Sequence, residues 1–189
     1  YAIVRDVAPP NEIHKLHDAY WEYTAEVWGA QRGQPSTWEN GLGANPATGI
    51  IGGHGFGQSR FLWELRTLPR VRAAFEFIWE TTDLLSSYDG GNVFRPTHSR
   101  PDWRTKGGWW HCDQNGTLAG RSGRVCVQGL VLLTEANEYT GGLCVIPGTH
   151  RVHDAFSQRH PWAKTGGDFL PVPSGDPILA AGEQILLCA

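Results

Sequence analysis

The fold prediction starts from residues 109–114, which read WWHCDQ. If this segment is a β-strand, residues two apart point to the same face of the sheet, so that the side chains of His111 and Asp113 converge. An imidazole and a carboxylate that converge can supply two of the three protein ligands of a facial two-histidine, one-carboxylate iron(II) site. The alternative is a histidine of the core followed by an acidic turn residue. The rest of the sequence decides between these two interpretations.

Short strand-like segments separated by turns fill the second half of the sequence. Runs rich in apolar and β-branched residues predict the strands, and Gly, Pro and Asn predict the turns between them. The predicted strands comprise residues 92–95, 111–114, 125–134, 143–147, 169–172 and 184–188.

Helical periodicity is found in the first half of the sequence. Apolar residues at spacings of three and four predict a helix that begins at Pro10 or Asn11 and ends before Gly29. A second helix is predicted from about Pro69 to Ser86, where Pro69 suits the first helical turn. The apolar face of this second helix is expected to consist of Val71, Phe75, Ile78 and Leu85.

The order of these elements predicts the fold class. Two helices followed by many short strands are typical of a mainly β domain with flanking helices, in which the strands form a jelly roll. The length of 189 residues suits a single domain. We expect the helical N-terminal part of this domain to cover about residues 1–90 and its β-rich core about residues 91–189.

Composition and charge bear on partners and compartment. The net charge is -3 without a basic run, which argues against a nucleic-acid partner, and no apolar stretch is long enough to span a membrane. The four cysteines are widely spaced without a C-x-x-C pair, which predicts reduced thiols and a cytoplasmic location. Because the sequence begins with Tyr1 and not with Met, we expect the natural protein to begin earlier. The sequence leaves the oligomeric state open.

Three segments of the second half resemble the phytanoyl-CoA dioxygenase family of iron(II)- and 2-oxoglutarate-dependent oxygenases, and they occur in the order of that family. They read WHCDQ at residues 110–114, GLCVIPGTHR at residues 142–151 and AGEQILL at residues 181–187. The run at residues 142–151 is far more specific than the His-x-Asp pattern. Glu183 departs from the family, which usually has Asp at that position.

The resemblance implies a double-stranded β-helix core, the cupin-like form of a jelly roll, and an iron site. His111 and Asp113 would be metal ligands and catalytic residues, with Fe(II) as the cofactor and 2-oxoglutarate and O₂ as cosubstrates. The implied reaction hydroxylates a small molecule and decarboxylates 2-oxoglutarate to succinate. Halogenating relatives have Gly or Ala where Asp113 stands, so Asp113 favours oxygenation over halogenation.

Two further residues are predicted to bind the cosubstrate. Arg95 resembles the position at which relatives place a basic residue on 2-oxoglutarate, and an arginine fork matches a carboxylate. Lys106 is an alternative on a glycine-flanked segment, and a surface role for Arg95 is another. Gln128 interrupts an apolar run, so we expect its side chain, if it is buried, to be hydrogen-bonded either to a bound ligand or only to the backbone.

The resemblance places the second metal histidine and an arginine for 2-oxoglutarate after the segment 181–187. The sequence ends at Ala189, so we expect both residues to lie beyond it and the natural chain to be longer. The alternative function is a non-catalytic jelly-roll protein that binds a metal or ligand without a complete facial triad. A cupin-like isomerase or another metal hydrolase is a third possibility, which the run at residues 142–151 disfavours.

Overall fold

The computed structural model describes residues 1–137, 139–160, 167–180 and 185–186. Residues 185 and 186 are described by their backbone alone. Five α-helices lie within these residues: α1 Pro10–Trp28, α2 Arg60–Arg66, α3 Pro69–Trp79, α4 His153–Gln158 and α5 Pro177–Ala180. The same residues contain six strands of two residues each: β1 Ile50–Ile51, β2 Gly91–Asn92, β3 His111–Cys112, β4 Cys144–Val145, β5 Leu170–Pro171 and β6 Ile185–Leu186.

The chain divides into two compact units. Unit 1 consists of Tyr1–Lys106 and Val131–Glu135, and unit 2 of Gly107–Leu130 and Ala136–Ala189. The single domain expected from the sequence remains a prediction beside this division. In the part of the chain that the structure describes, no helix is both long and apolar enough to cross a membrane.

Helix α1 confirms the first predicted helix at both of its ends. Pro10 occupies the first turn, where its missing N–H is not needed by the helix. The helix ends at Gly29, which adopts the left-handed conformation with a φ of 68° and donates its N–H to the carbonyl of Ala25 at 3.0 Å. Leu16 and Tyr20 are buried one turn apart, as the sequence periodicity requires.

The core of unit 1 is largely aromatic. It consists of Tyr20, Ile51, Phe56, Phe61 and Leu62. Phe61 lies between Tyr20 and Phe56, with ring centroids 5.8 Å and 5.4 Å away and steep interplanar angles, an edge-to-face arrangement that aromatic rings favour. Phe61 and Leu62 belong to α2, a helix that sequence periodicity did not predict because it is only seven residues long.

Helix α3 begins at the predicted Pro69 but is shorter than the predicted helix to Ser86. It ends at Trp79, because Glu80 adopts the left-handed conformation with a φ of 55° and donates its N–H to the carbonyl of Glu76. Leu85 is fully exposed and does not continue the apolar face. The periodicity therefore extended the helix past a backbone reversal that no glycine or proline marks.

The strands of the described residues pair into three antiparallel two-stranded sheets, β1–β2, β3–β5 and β4–β6. In unit 2, His111 is opposite Pro171 and Cys112 opposite Leu170. The same unit has a small core of Phe156, Leu170 and Ile178, against which Cys112 packs. This core fixes the inward face of β3.

A jelly roll is not seen in the described residues, and these contain more helix than strand, in contrast to the mainly β prediction. The predicted strand at residues 125–134 has no strand pairing, and Val125 and Leu130 on it are 39% and 48% exposed. Four of the other five predicted strands contain a pair of strand residues, and the strand predicted at 92–95 shifts to Gly91–Asn92. A strand needs a partner to complete its hydrogen-bond ladder, and a local sequence pattern does not specify that distant partner.

Candidate functional site

The candidate site lies at the end of β3 in unit 2. Cys112 packs against the core of this unit, so the alternation of side chains along the strand turns His111 and Asp113 to the opposite face. The side chain of His111 is 23% exposed and that of Asp113 is 45% exposed. The two predicted ligands thus share the outward face of β3, as the sequence pattern indicated.

The donor atoms of this pair have the spacing of neighbouring metal ligands. His111 Nε2 lies 3.3 Å from Asp113 Oδ1. Two ligands bound at about 2.1 Å and at a right angle to each other place their donor atoms about 3 Å apart. Imidazole and carboxylate are also the donor types of facial iron(II) sites. The pair fits two adjacent positions on a divalent metal.

The imidazole of His111 is held by a hydrogen bond and by two rings. Its Nδ1 lies 2.9 Å from the carbonyl oxygen of Trp109, so the tautomer with hydrogen on Nδ1 donates to that oxygen and leaves the Nε2 lone pair free. The Trp109 ring stacks on the imidazole at 4.4 Å and 10° between planes, and Phe169 lies 4.7 Å away. Nε2 therefore keeps its direction toward Asp113.

The carboxylate of Asp113 is held by an amide. Gln128 Nε2 donates to Asp113 Oδ2 at 2.9 Å, which leaves Oδ1 as the oxygen next to His111. The Gln128 side chain is exposed, whereas the sequence led us to expect a hydrogen bond to a ligand or to the backbone if it were buried. Its partner is Asp113, whereas contact of Gln128 with a cosubstrate remains a prediction.

The cysteine between the two ligands is not a suitable metal ligand. Burial, together with the nearby charge of Asp113, raises the pKa of the Cys112 thiol. A thiol must lose its proton to bind a metal tightly. Within the described residues, no group of three or more His, Cys, Asp or Glu side chains has the arrangement of a metal site. The second metal histidine that the resemblance implies remains a prediction, which the described residues do not test.

Arg95 belongs to unit 1, whereas His111, Asp113 and Gln128 belong to unit 2. The Arg95 guanidinium lies over the ring of Trp103 at 4.6 Å and donates from Nη1 to the carbonyl of Trp38 at 3.0 Å. Burial lowers the pKa of Arg95.

The neighbouring arginine is bound differently. Arg100 forms ion pairs with Glu39 and Asp102, whereas no ion pair of Arg95 is found among the described residues. Arg95 is thus a cation whose guanidinium has further N–H groups that could donate to an anionic ligand. Its role at 2-oxoglutarate remains a prediction. Lys106, the alternative, is exposed and bonds through its backbone N–H to the carbonyl of Ala47.

Unit 1 also contains an open cavity of about 630 Å³. Trp28 and His54 line it with rings edge to face at 6.1 Å, and the amides of Asn40 and Asn45 add polar groups. None of the predicted site residues lines this cavity.

Two residues at the site were missed from the sequence. Trp109 precedes the pair in the chain, and its carbonyl and ring both contact His111. Phe169 lies next to β5, and it reaches His111 because β5 pairs with β3. The predicted strand at residues 169–172 indicated a strand at this point, but no sequence signal indicates which strand it pairs with.

Comparison with known proteins agrees with the resemblance. The family described as phytanoyl-CoA dioxygenase (PhyH) matches residues 1–179. "Ava biosynthesis cluster protein O" of Aspergillus versicolor is 35% identical over 103 residues, which cover 54% of this chain and 32% of that protein. A Dictyostelium discoideum protein named after phytanoyl-CoA dioxygenase is 23% identical over 196 residues, covering 85% of this chain and 56% of that protein. The chain thus spans about a third and about half of these relatives, and no solved structure matches it.

Proposed function

The chain belongs to the phytanoyl-CoA dioxygenase family, and we propose that it acts as an iron(II)- and 2-oxoglutarate-dependent dioxygenase that hydroxylates a small molecule. The observation that carries this proposal is the pair formed by His111 Nε2 and Asp113 Oδ1, 3.3 Å apart at the end of β3. The pair stands where the family motif has its first two metal ligands. The proposal concerns the whole protein, because this chain spans only about a third and about half of the two relatives.

His111 Nε2 and Asp113 Oδ1 would hold the iron, with the remaining protein ligand supplied by the later histidine of the family. Bound iron would supply the oxygen activation needed to decarboxylate 2-oxoglutarate to succinate and CO₂ and to hydroxylate the substrate, with one oxygen atom of O₂ going to each product. Arg95 would bind a carboxylate of 2-oxoglutarate through its guanidinium fork.

The residues around the pair support this chemistry by orientation. The Trp109 carbonyl sets the tautomer of His111, and the rings of Trp109 and Phe169 both contact the imidazole. The carboxylate of Asp113 would occupy the metal position that a halide takes in halogenating relatives, and this supports hydroxylation.

The fold proposed for the complete protein is the double-stranded β-helix that the family implies. Two of the sheets support it, because β3–β5 and β4–β6 are antiparallel pairs between strands far apart in the chain. Such non-local antiparallel pairs are the building units of a jelly roll.

The cysteines of the described residues (Cys112, Cys126 and Cys144) are free thiols, which supports the proposed cytoplasmic location.

The test is the formation of succinate by the full-length protein. We expect iron-loaded protein to bind 2-oxoglutarate and to release succinate slowly by itself and faster with a suitable substrate. An iron-loaded protein that neither binds 2-oxoglutarate nor forms succinate would contradict the enzyme and favour the non-catalytic jelly-roll alternative. The name of the Aspergillus relative, a protein of a biosynthesis cluster, makes natural-product precursors a sensible first substrate set.

A further inference from the structure

We infer that Gln128 is a positioning residue for the metal-binding carboxylate, acting through its amide on Asp113. The juxtaposition that carries this inference is the hydrogen bond from Gln128 Nε2 to Asp113 Oδ2 at 2.9 Å, with Asp113 Oδ1 turned toward His111 Nε2. The inference rests on the proposed function, and it gives Gln128 a role distinct from contact with 2-oxoglutarate.

The two ligands of the pair are held by separate means. His111 is held by the Trp109 carbonyl and by contacts with the rings of Trp109 and Phe169, which are backbone or apolar groups. None of these contacts involves Asp113. The distance between the two donor atoms therefore depends on what holds the carboxylate of Asp113.

Few contacts fix the orientation of the Asp113 carboxylate within the described residues. It follows β3 in a bend, and its side chain is 45% exposed. The terminal torsion of an aspartate is soft, so that an exposed carboxylate turns freely unless a donor fixes one of its oxygens. Among the described residues, the contacts found for this carboxylate are the Gln128 amide and the His111 imidazole.

The amide also determines how many oxygens face the metal. With Oδ2 accepting from Gln128, Oδ1 is the oxygen next to His111 Nε2, and the carboxylate would bind a metal through this one oxygen. Without the amide, both oxygens are free to chelate, which takes one of the positions that a facial site leaves open for cosubstrate and O₂.

The experiment measures Co(II) binding to the full-length protein in the absence of 2-oxoglutarate. Co(II) replaces Fe(II) at imidazole and carboxylate sites, and its visible bands report the number of ligands. Gln128→Met keeps the length of the side chain but removes the donor, and Gln128→Asn keeps the amide but withdraws it from Asp113. We expect each variant to bind Co(II) about tenfold more weakly and to change the visible bands.

The matched control is Gln158→Met, the same exchange at an exposed position of α4. We expect it to leave both the Co(II) affinity and the visible bands unchanged, and circular dichroism to show that all variants are folded. A purely structural role of Gln128 would alter the stability without altering the bands.

Two results would overturn the inference, and they are distinguishable. If the unaltered protein binds Co(II) and the Gln128 variants bind it with the same affinity and bands, Gln128 does not position Asp113 and the proposed function is unaffected. If the unaltered protein binds no Co(II), both the metal site of the proposed function and the role of Gln128 are wrong.

Discussion

At the scale of single residues, the chemistry of the site depends on which atom of each side chain is free. Trp109 occupies Nδ1 of His111 and Gln128 occupies Oδ2 of Asp113, so that Nε2 and Oδ1 remain next to each other. A pattern of two residues is thereby turned into a pair of directed donor atoms. Second contacts of this kind commonly set ligand orientation in metal sites.

The carboxylate of Asp113 should be essential for turnover. We expect Asp113→Ala to lower succinate formation at least about a hundredfold, because it removes a charged metal ligand. The measurement is succinate release under saturating Fe(II) and 2-oxoglutarate. Asp83→Ala, which removes an exposed carboxylate of unit 1, is the control and should retain full activity. Comparable rates for both variants would show that Asp113 is not a ligand.

At the scale of secondary-structure elements, backbone conformations at helix ends decide where the helices stop. Gly29 ends α1 in the left-handed region, and a Cβ at this position would meet no atom within 4 Å. The cost of a side chain there is thus conformational and not steric.

We expect Gly29→Ala to lower the free energy of unfolding by about 1 kcal/mol, since alanine disfavours a positive φ. Urea unfolding followed by circular dichroism measures this change. Gly52→Ala is the control, because Gly52 has an ordinary φ and equally open surroundings. Equal effects of the two substitutions would contradict the conformational explanation.

The start of α5 is fixed by an ionic network. Asp176 is buried and accepts hydrogen bonds from Arg159 Nε at 3.0 Å, from the N–H of Ile178 at 2.8 Å and from His160 Nε2 at 2.9 Å. The Arg159 guanidinium is the main reason that the pKa of Asp176 lies far below its usual range. A carboxyl whose pKa is lowered by folding contributes stability above its unfolded pKa of about 4 and loses it as the pH falls.

We expect Asp176→Asn to lower the free energy of unfolding at pH 7 by about 2 kcal/mol, the size of a hydrogen-bonded charge contact. The difference from the unaltered protein should shrink as the pH falls from about 4 toward the lowered pKa of Asp176. Urea unfolding at a series of pH values checks both statements. A difference that stays constant down to pH 2 would show that the charge of Asp176 is not responsible.

At the scale of the whole molecule, each unit has its own small core. The core of unit 1 is built on aromatic rings of α1, α2 and the segment before α2, and that of unit 2 on Phe156, Leu170 and Ile178. Cys112, which lies between the two residues of the candidate metal pair, packs against the core of unit 2. A metal that binds this pair should therefore raise the free energy of unfolding.

We expect Co(II) at a hundred times its Kd to raise the free energy of unfolding of the full-length protein by about 2.7 kcal/mol, because the metal binds only the folded state. Thermal unfolding with and without Co(II) measures this gain. The Asp113→Ala variant should lose most of it. An equal gain in that variant would mean that the metal binds elsewhere.

The sequence by itself determined the family and the first helix, and it predicted that His111 and Asp113 converge, because these features depend on short motifs, on local periodicity and on residues two apart in a strand. It did not determine the end of α3 at Glu80 or the lack of pairing at residues 125–134, since neither is marked by a local residue type. Only the tertiary structure decided that Gln128 contacts Asp113 and that Phe169 contacts His111. Both contacts join residues distant in the chain, and such pairings follow from packing and strand register, which no short stretch of sequence specifies.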